Sequence, residues 1–306
     1  LKLIRPKYEI WEHYQNIGET TWTDPLGHIE RCGRVCYQSE EKGDPEKFIR
    51  MIVKRGHESV LEHAWFAVQG YGSGYPTPPF MVKEESGLLL GNARAWRDAV
   101  RKGKVGLPAR LKQICPVLFE DLPQRTDTLL KLVPLPKDFV LTVNFVVDRG
   151  VSHELVRHRP PSFSQESTRF CNYGKGVTFI IPPWLPDVKE GEQDTSDLSW
   201  KNPAYEWMTA MEDAEMAYMS LLSQGWTAQQ ARSVLPNSTK TQIVITAHWM
   251  EWQIILALRT DTAAHPQMQE VMVPLASDLA VRNQDKFGPA VIEEVRKDIL
   301  NRLKRT

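Results

Sequence analysis

Thirteen residues near the middle of the chain concentrate its reactive side chains: Arg157-His158-Arg159-Pro160-Pro161-Ser162-Phe163-Ser164-Gln165-Glu166-Ser167-Thr168-Arg169. The run holds three arginines, four hydroxyl residues, one histidine and one glutamine, and Glu166 is its sole acid. Guanidinium groups bind phosphate through paired, planar hydrogen bonds. Serine hydroxyls and free backbone N–H groups add donors. Pro160-Pro161 forces the chain out of helix after Arg159, so the groups that follow are expected on irregular backbone. The run reads as a pocket for a phosphate monoester or pyrophosphate. The plain alternative is a solvated loop of surface arginines. The chain has neither a Walker loop nor a G-x-G-x-x-G fingerprint, so any nucleotide must lean on the arginines.

Several elements are expected to position this run. Phe139 to Val147 alternates as a strand: Phe139, Leu141, Val143, Phe145 and Val147 share one face. A short helix follows from about Ser152. Thr241 to Thr246 alternates too, and Trp249 to Leu258 and Pro266 to Val281 read as helices. Upstream, Asp44-Pro45 starts a helix that Gly56 can end, and Trp65 to Val68 reads as a strand. Val177 to Ile181 is a further strand, Pro186 to Ser199 a loop, and Tyr205 to Leu222 a long amphipathic helix with a methionine stripe for the core. Thr227 and Gln230 have capping-box spacing. Residues 70–138 read as an inserted helical and loop segment, an insertion or lid. Within it Tyr71 to Pro79 is loop, Asn92 to Val100 is helix, and prolines punctuate the rest. The elements do not alternate as βαβ units, which favours α+β in a single domain over 1–306.

The totals exclude several classes. The 306 residues carry 38 Lys plus Arg against 38 Asp plus Glu, so no global field draws the chain to nucleic acid or a membrane surface. Cys32, Cys36, Cys115 and Cys171 lack the spacing of a zinc site and read as reduced packing residues; no metal is expected. No apolar run is long enough to span a bilayer, and no signal peptide opens the sequence. The expected location is cytoplasmic.

The residues also carry a resemblance. Arg157, His158 and Arg159, then seven residues, then Ser167, resemble the signature of flavin-dependent thymidylate synthases. His57-Glu58-Ser59-Val60-Leu61-Glu62-His63 resembles the family's upstream H-x-[ST]-x-x-E-H segment. Ala231-Arg232-Ser233-Val234-Leu235-Pro236 resembles its A-R-x-x-L-P segment, and Arg259 lies 27 residues after Arg232, as in the family. The resemblance implies a mixed α+β domain with an antiparallel-rich sheet and long helices. It also implies reductive methylation of deoxyuridine monophosphate (dUMP) to dTMP with FAD, with methylene-tetrahydrofolate as carbon donor and NADPH as reductant, in a homotetramer with shared active sites.

Roles follow from that resemblance by position. Glu154, Arg157, Gln165, Ser167, Arg169, Arg232 and Arg259 match dUMP-contacting positions. Ser59, Arg157, His158, Arg159, Gln165, His248, Met250 and Ile254 match flavin-side positions. Arg259 matches the catalytic arginine against the uracil ring; its bland alternative is a helix-end arginine paired with Asp261. Charge developing on the ring carbonyls would be stabilised by such a guanidinium. Cys171 lacks an evident activating base and is not read as a nucleophile. His57 and His63 can also be read as core histidines satisfied by hydrogen bonds, a reading favoured for His63 over ligand contact. This chain departs from the family at His248, usually Asn; at Met250, often Arg; and at Ile254, commonly Asn or His. The segment around Arg94 and Trp96 is either a peripheral helix or a wall facing a planar or anionic ligand. Two other functions remain in view: a pyrimidine deoxynucleotide (dUMP or dCMP) hydroxymethylase on the same scaffold, and a nucleic-acid-binding protein, which balanced charge disfavours.

Overall fold

The computed structural model describes the chain apart from residues 13, 18–19, 40–42, 73–75, 85, 124–125, 197 and 305–306. Residues 73–75 of the expected loop Tyr71 to Pro79, and residue 197 of the loop Pro186 to Ser199, thus lie outside the described residues.

The arginine run sits on a four-stranded antiparallel sheet. Its order is Ser162–Gln165, Lys240–His248, Val140–Asp148, Lys7–Trp11. Alternation in the two long strands divides the sheet into an apolar and a polar face. Leu141, Val143, Phe145 and Val147, with Ile243, Ile245 and Ala247, pack under Trp252, Ile255, Leu256, Met272 and Leu275. Those partners come from the helices Trp249–Arg259 and Pro266–Arg282.

The opposite face carries Thr142, Asn144, Gln242 and Thr246. His63 closes over it from the 3-10 turn Glu58–His63: Nδ1 lies 2.7 Å from Thr246 Oγ1 and Nε2 2.9 Å from Ser164 Oγ. Thr246 Oγ1 is 2.6 Å from Thr142 Oγ1, which is 3.2 Å from His28 Nε2 on the helix Pro25–Val35. Every member is buried. His63 is therefore a core histidine.

Helix starts are well capped. Asp44 accepts from Lys47 N–H at 3.0 Å, Asn92 from Ala95 N–H at 2.8 Å, and Asp148 from Val151 N–H at 2.8 Å. The last of these turns the strand Val140–Asp148 directly into the helix Arg149–Leu155, which bears Glu154.

Two expectations need correction. Ser162 to Gln165 is not irregular: after the prolines the chain re-enters the sheet as an edge strand, with Ser162 and Ser164 facing inward and buried. Residues 70–138 contain strand as well as helix and loop. Met81–Lys83, Leu88–Asn92 and Lys131–Val133 join Trp65–Gln69 in a second antiparallel sheet. The segment's helix Ala93–Arg101 buries Trp96 completely in a core with Phe66, Phe119 and Leu118. Trp96 therefore faces no ligand.

Replacing His63 by Leu takes one buried partner from each of the Ser164 and Thr246 hydroxyls. The expected loss is about 2–4 kcal/mol of unfolding free energy, read as a lower urea midpoint at unchanged slope.

Candidate functional site

Arg259 ends the helix Trp249–Arg259 and is gripped on three sides. Its Nη1 donates to Glu154 Oε2 at 2.7 Å, its Nη2 to the Glu154 carbonyl oxygen at 2.9 Å, and its Nε to His158 Nε2 at 2.9 Å. Asp261, the alternative partner, pairs with Arg296 at 3.2 Å instead. Because His158 Nε2 accepts, the ring is neutral with its proton on Nδ1. Burial, and then the Arg259 charge, push the His158 pKa down to about 4. The Arg157 side chain, exposed beside this cluster, makes no hydrogen bond or ion pair with the described residues.

A second group lies at the end of the run. Arg232 Nη1 donates to Thr168 Oγ1 at 3.1 Å, and Arg169 Nε to Gln229 Oε1 at 2.8 Å. Ser167 N–H donates to the Cys36 carbonyl at 3.1 Å, which ties this loop to the end of the helix Pro25–Val35. The 3-10 turn bearing Arg232 follows a helix whose start has Thr227 N–H donating to Gln230 Oε1 at 2.9 Å, as the spacing implied. Gln165 donates to Ser152 Oγ at 2.8 Å and to Thr241 Oγ1 at 3.3 Å, so it bridges the edge strand and the Glu154 helix.

The lone acid of the run has a structural task. Glu166 is buried and accepts from Lys240 Nζ at 2.7 Å, Gln242 N–H at 3.0 Å and Tyr173 OH at 2.8 Å. Cys171 is buried nearby, and desolvation followed by the Glu166 charge pushes its thiol up to about 11. It stays protonated near neutrality, unlike an activated nucleophile.

A cavity of about 710 Å³ holds the third group. Ser59, Arg159 and His248 line it together with Trp65, Glu62, Glu251 and residues of the 70–138 segment, among them Phe80, Met81 and Arg94. Arg159 Nη1 donates to the His158 carbonyl at 2.9 Å. His248 caps the helix Trp249–Arg259: its Nδ1 accepts from Met250 N–H at 3.4 Å. Its proton therefore sits on Nε2, and that atom is buried with no acceptor among the described residues. Trp65 Nε1 is in the same condition. Burial, and then Lys286, hold the His248 pKa down at about 4. Met250 and Ile254 do not join this group. They sit on the outer side of their helix, 38% and 39% exposed, and do not line the cavity.

Sequence reasoning missed Trp65, Glu251, Phe80 and Met81. Trp65 lay in a recognised strand, and an indole at a strand start facing a charged segment was the available signal. Phe80 and Met81 reach the cavity only through strand pairing between residues distant in sequence, which no local pattern reveals.

Fold and site define an α+β protein that collects arginine side chains from three segments around one antiparallel sheet. The family model described as "Thymidylate synthase complementing protein" matches residues 19–72 and 138–280, and the chain belongs to that family. Its relatives named flavin-dependent thymidylate synthase include one from Mycobacterium avium, 31% identical over 260 residues, covering 82% of this chain and 74% of the relative. One from Mycobacterium tuberculosis is 29% identical over 274 residues, covering 87% and 78%. One from Corynebacterium glutamicum is 32% identical over 151 residues, covering 48% and 60%. A solved structure described as the UMP/dUMP methylase PolB from Streptomyces cacaoi, bound with 5-Br dUMP, aligns over 97% of each chain at 18% identity with a TM-score of 0.43. The family is one of one-carbon methyltransferases, and the chain is an enzyme of that kind. Among the described residues no helix is long and apolar enough to cross a membrane, and no cluster of three or more His, Cys, Asp or Glu could hold a metal ion.

Two buried, neutral histidines give the fold an acid-sensitive window. His158 and His248 have pKa values near 4 when folded, against about 6.5 when unfolded. Between those values the unfolded chain binds more protons, so stability is complete above about pH 6.5 and falls as pH drops toward 4. Melting temperature should decline through that window, and His248→Gln should flatten the decline.

Proposed function

We propose that this chain methylates dUMP to dTMP, taking the carbon from methylene-tetrahydrofolate, with FAD as its cofactor and NADPH as the reductant. The observation that carries this reading is the three-sided hold on Arg259 by Glu154 and His158. A half-buried guanidinium fixed in direction is preorganised to stabilise negative charge as it develops on a pyrimidine ring. Neutral His158 serves this role by accepting from Arg259 without adding a second positive charge.

The substrate's phosphate suits Arg169 and Arg232, with Ser167 beside them. Gln165 and Glu154 offer amide and carboxylate groups to the nucleoside, and Arg157 extends an uncommitted guanidinium toward both ligands. These groups lie in separate clusters of one protomer. That separation supports a homotetramer in which each active site draws on more than one chain. The compartment proposed is the cytoplasm.

The cavity bounded by Ser59, Arg159 and His248 fits a flavin. The orphaned N–H groups of His248 and Trp65 match the carbonyl and ring-nitrogen acceptors of an isoalloxazine edge. When bound, the flavin supplies the reducing electrons. The protein's own part is to hold the ring, keep His248 neutral and exclude water. No enzyme thiol is needed, in keeping with the protonated state of Cys171.

Arg259→Lys keeps one charge but loses the bidentate grip and the contact to His158. Turnover of dUMP should fall about 10²–10³-fold with the fold intact by circular dichroism. Product mass decides the chemistry: a methyl group on the ring supports the reading. A hydroxymethyl group, or reaction with dCMP in place of dUMP, would replace it with the hydroxymethylase.

A further inference from the structure

The 70–138 segment supplies a side of the cavity that also holds Ser59, Arg159 and His248. Two of its residues are oddly placed for a mere packing role. Met81 N–H donates to the Pro78 carbonyl at 3.2 Å, closing a tight turn with Pro79 and Phe80 at its centre. Phe80 has φ +62°, a left-handed conformation that glycine normally fills at this turn position. For an aromatic residue this backbone is strained. Its side chain gives nothing back to the core, because it is 74% exposed at the cavity. A strained backbone that presents an exposed ring to a cavity is a feature associated with ligand contact.

The second residue is Arg94. It is the second residue of the helix Ala93–Arg101 and lines the same cavity. Its Nη1 meets Glu62 Oε1 at 2.6 Å, and its other N–H groups have no partner among the described residues. A guanidinium carries five donors, so this one retains most of its capacity. Arg159 lines the same space, and two guanidiniums around one cavity suit a ligand with more than one negative charge. Glu62, Asp98 and Glu251 also line it, and carboxylates suit the hydroxyls of a sugar or ribityl chain. Flat ring, hydroxylated linker and doubly charged phosphates together describe a flavin dinucleotide.

We propose that the inserted segment forms part of this chain's flavin-dinucleotide site, with Phe80 packing on a flat ring and Arg94 binding the pyrophosphate. The inference rests on the functional reading above.

The test titrates the full-length apo-protein with FAD, followed by fluorescence quenching and melting temperature. Arg94→Gln should weaken FAD binding at least about tenfold and make it less dependent on salt. Phe80→Gly should leave the apo melting temperature equal or higher, since glycine relieves the turn, yet weaken FAD binding severalfold and reduce the FAD-induced rise in melting temperature. Arg50→Gln, on an ion-paired arginine away from the cavity, should change nothing. If the unaltered protein binds no FAD, the functional reading fails and takes this inference with it. If it binds FAD and both cavity variants bind equally well, the inference alone is overturned. Unchanged salt dependence in Arg94→Gln removes the pyrophosphate assignment. Selective loss of methylene-tetrahydrofolate binding in place of FAD would give the cavity to the carbon donor and also overturn it.

Discussion

His63 joins the parts of the protein that carry the proposed site. One imidazole satisfies two hydroxyls on neighbouring strands, and through Thr246 and Thr142 the chain of contacts continues to His28. Each group sits where water cannot replace a missing partner, so the network holds only as a complete set. It fixes the turn Glu58–His63 over the polar face of the main sheet. That turn also bears Ser59 and Glu62 at the cavity. The edge strand Ser162–Gln165, which carries the arginine run, is fixed by the same ring.

The turn is braced from the other side as well. Glu58 meets Arg97 at 3.1 Å and Arg101 at 2.7 Å, and Arg97 also reaches Asp121 at 2.7 Å. Arg97 is fully buried, so its charge survives in the core only because two carboxylates and the Leu118 carbonyl surround it. Hydrogen bonding from Arg101 and Arg97 holds the Glu58 carboxyl down at about 2. The inserted segment is thereby locked to the turn Glu58–His63 by ion pairs centred on buried Arg97 as well as by strand pairing.

The sequence was legible where one residue's type settles the matter. The strands Val140–Asp148 and Lys240–His248 were readable because alternate apolar residues face one core, and the capped helices because Asp44 and Asn92 sit at their starts. Arg157 and Arg169 stood out because three guanidiniums crowd one short run, whereas Arg232 and Arg259 were reached only through the family resemblance. Lys7–Trp11 went unread, since its charged residues mask a strand whose Tyr8 and Ile10 pack on the main core. Pro25–Val35 was hidden by its glycines and by burying His28 and Glu30 in place of aliphatic residues. The role of Trp96 stayed open between peripheral helix and ligand-facing wall because nothing local reveals which side of a short helix meets the core. The cavity wall depends on pairing between Trp65–Gln69 and Leu88–Asn92, a long-range fact.

Glu166 has a consequence that reaches beyond its own contacts. Its carboxylate is turned inward and neutralised by Lys240, so the outward side of the run presents Arg157, Arg159 and Arg169 with no acid of its own. Each of these exposed guanidiniums is thus a small positive spot on a molecule with no net charge. At physiological ionic strength such a spot acts over roughly 8 Å. It therefore captures small anions that have already arrived, and it exerts little pull on a long polyanion passing at a distance.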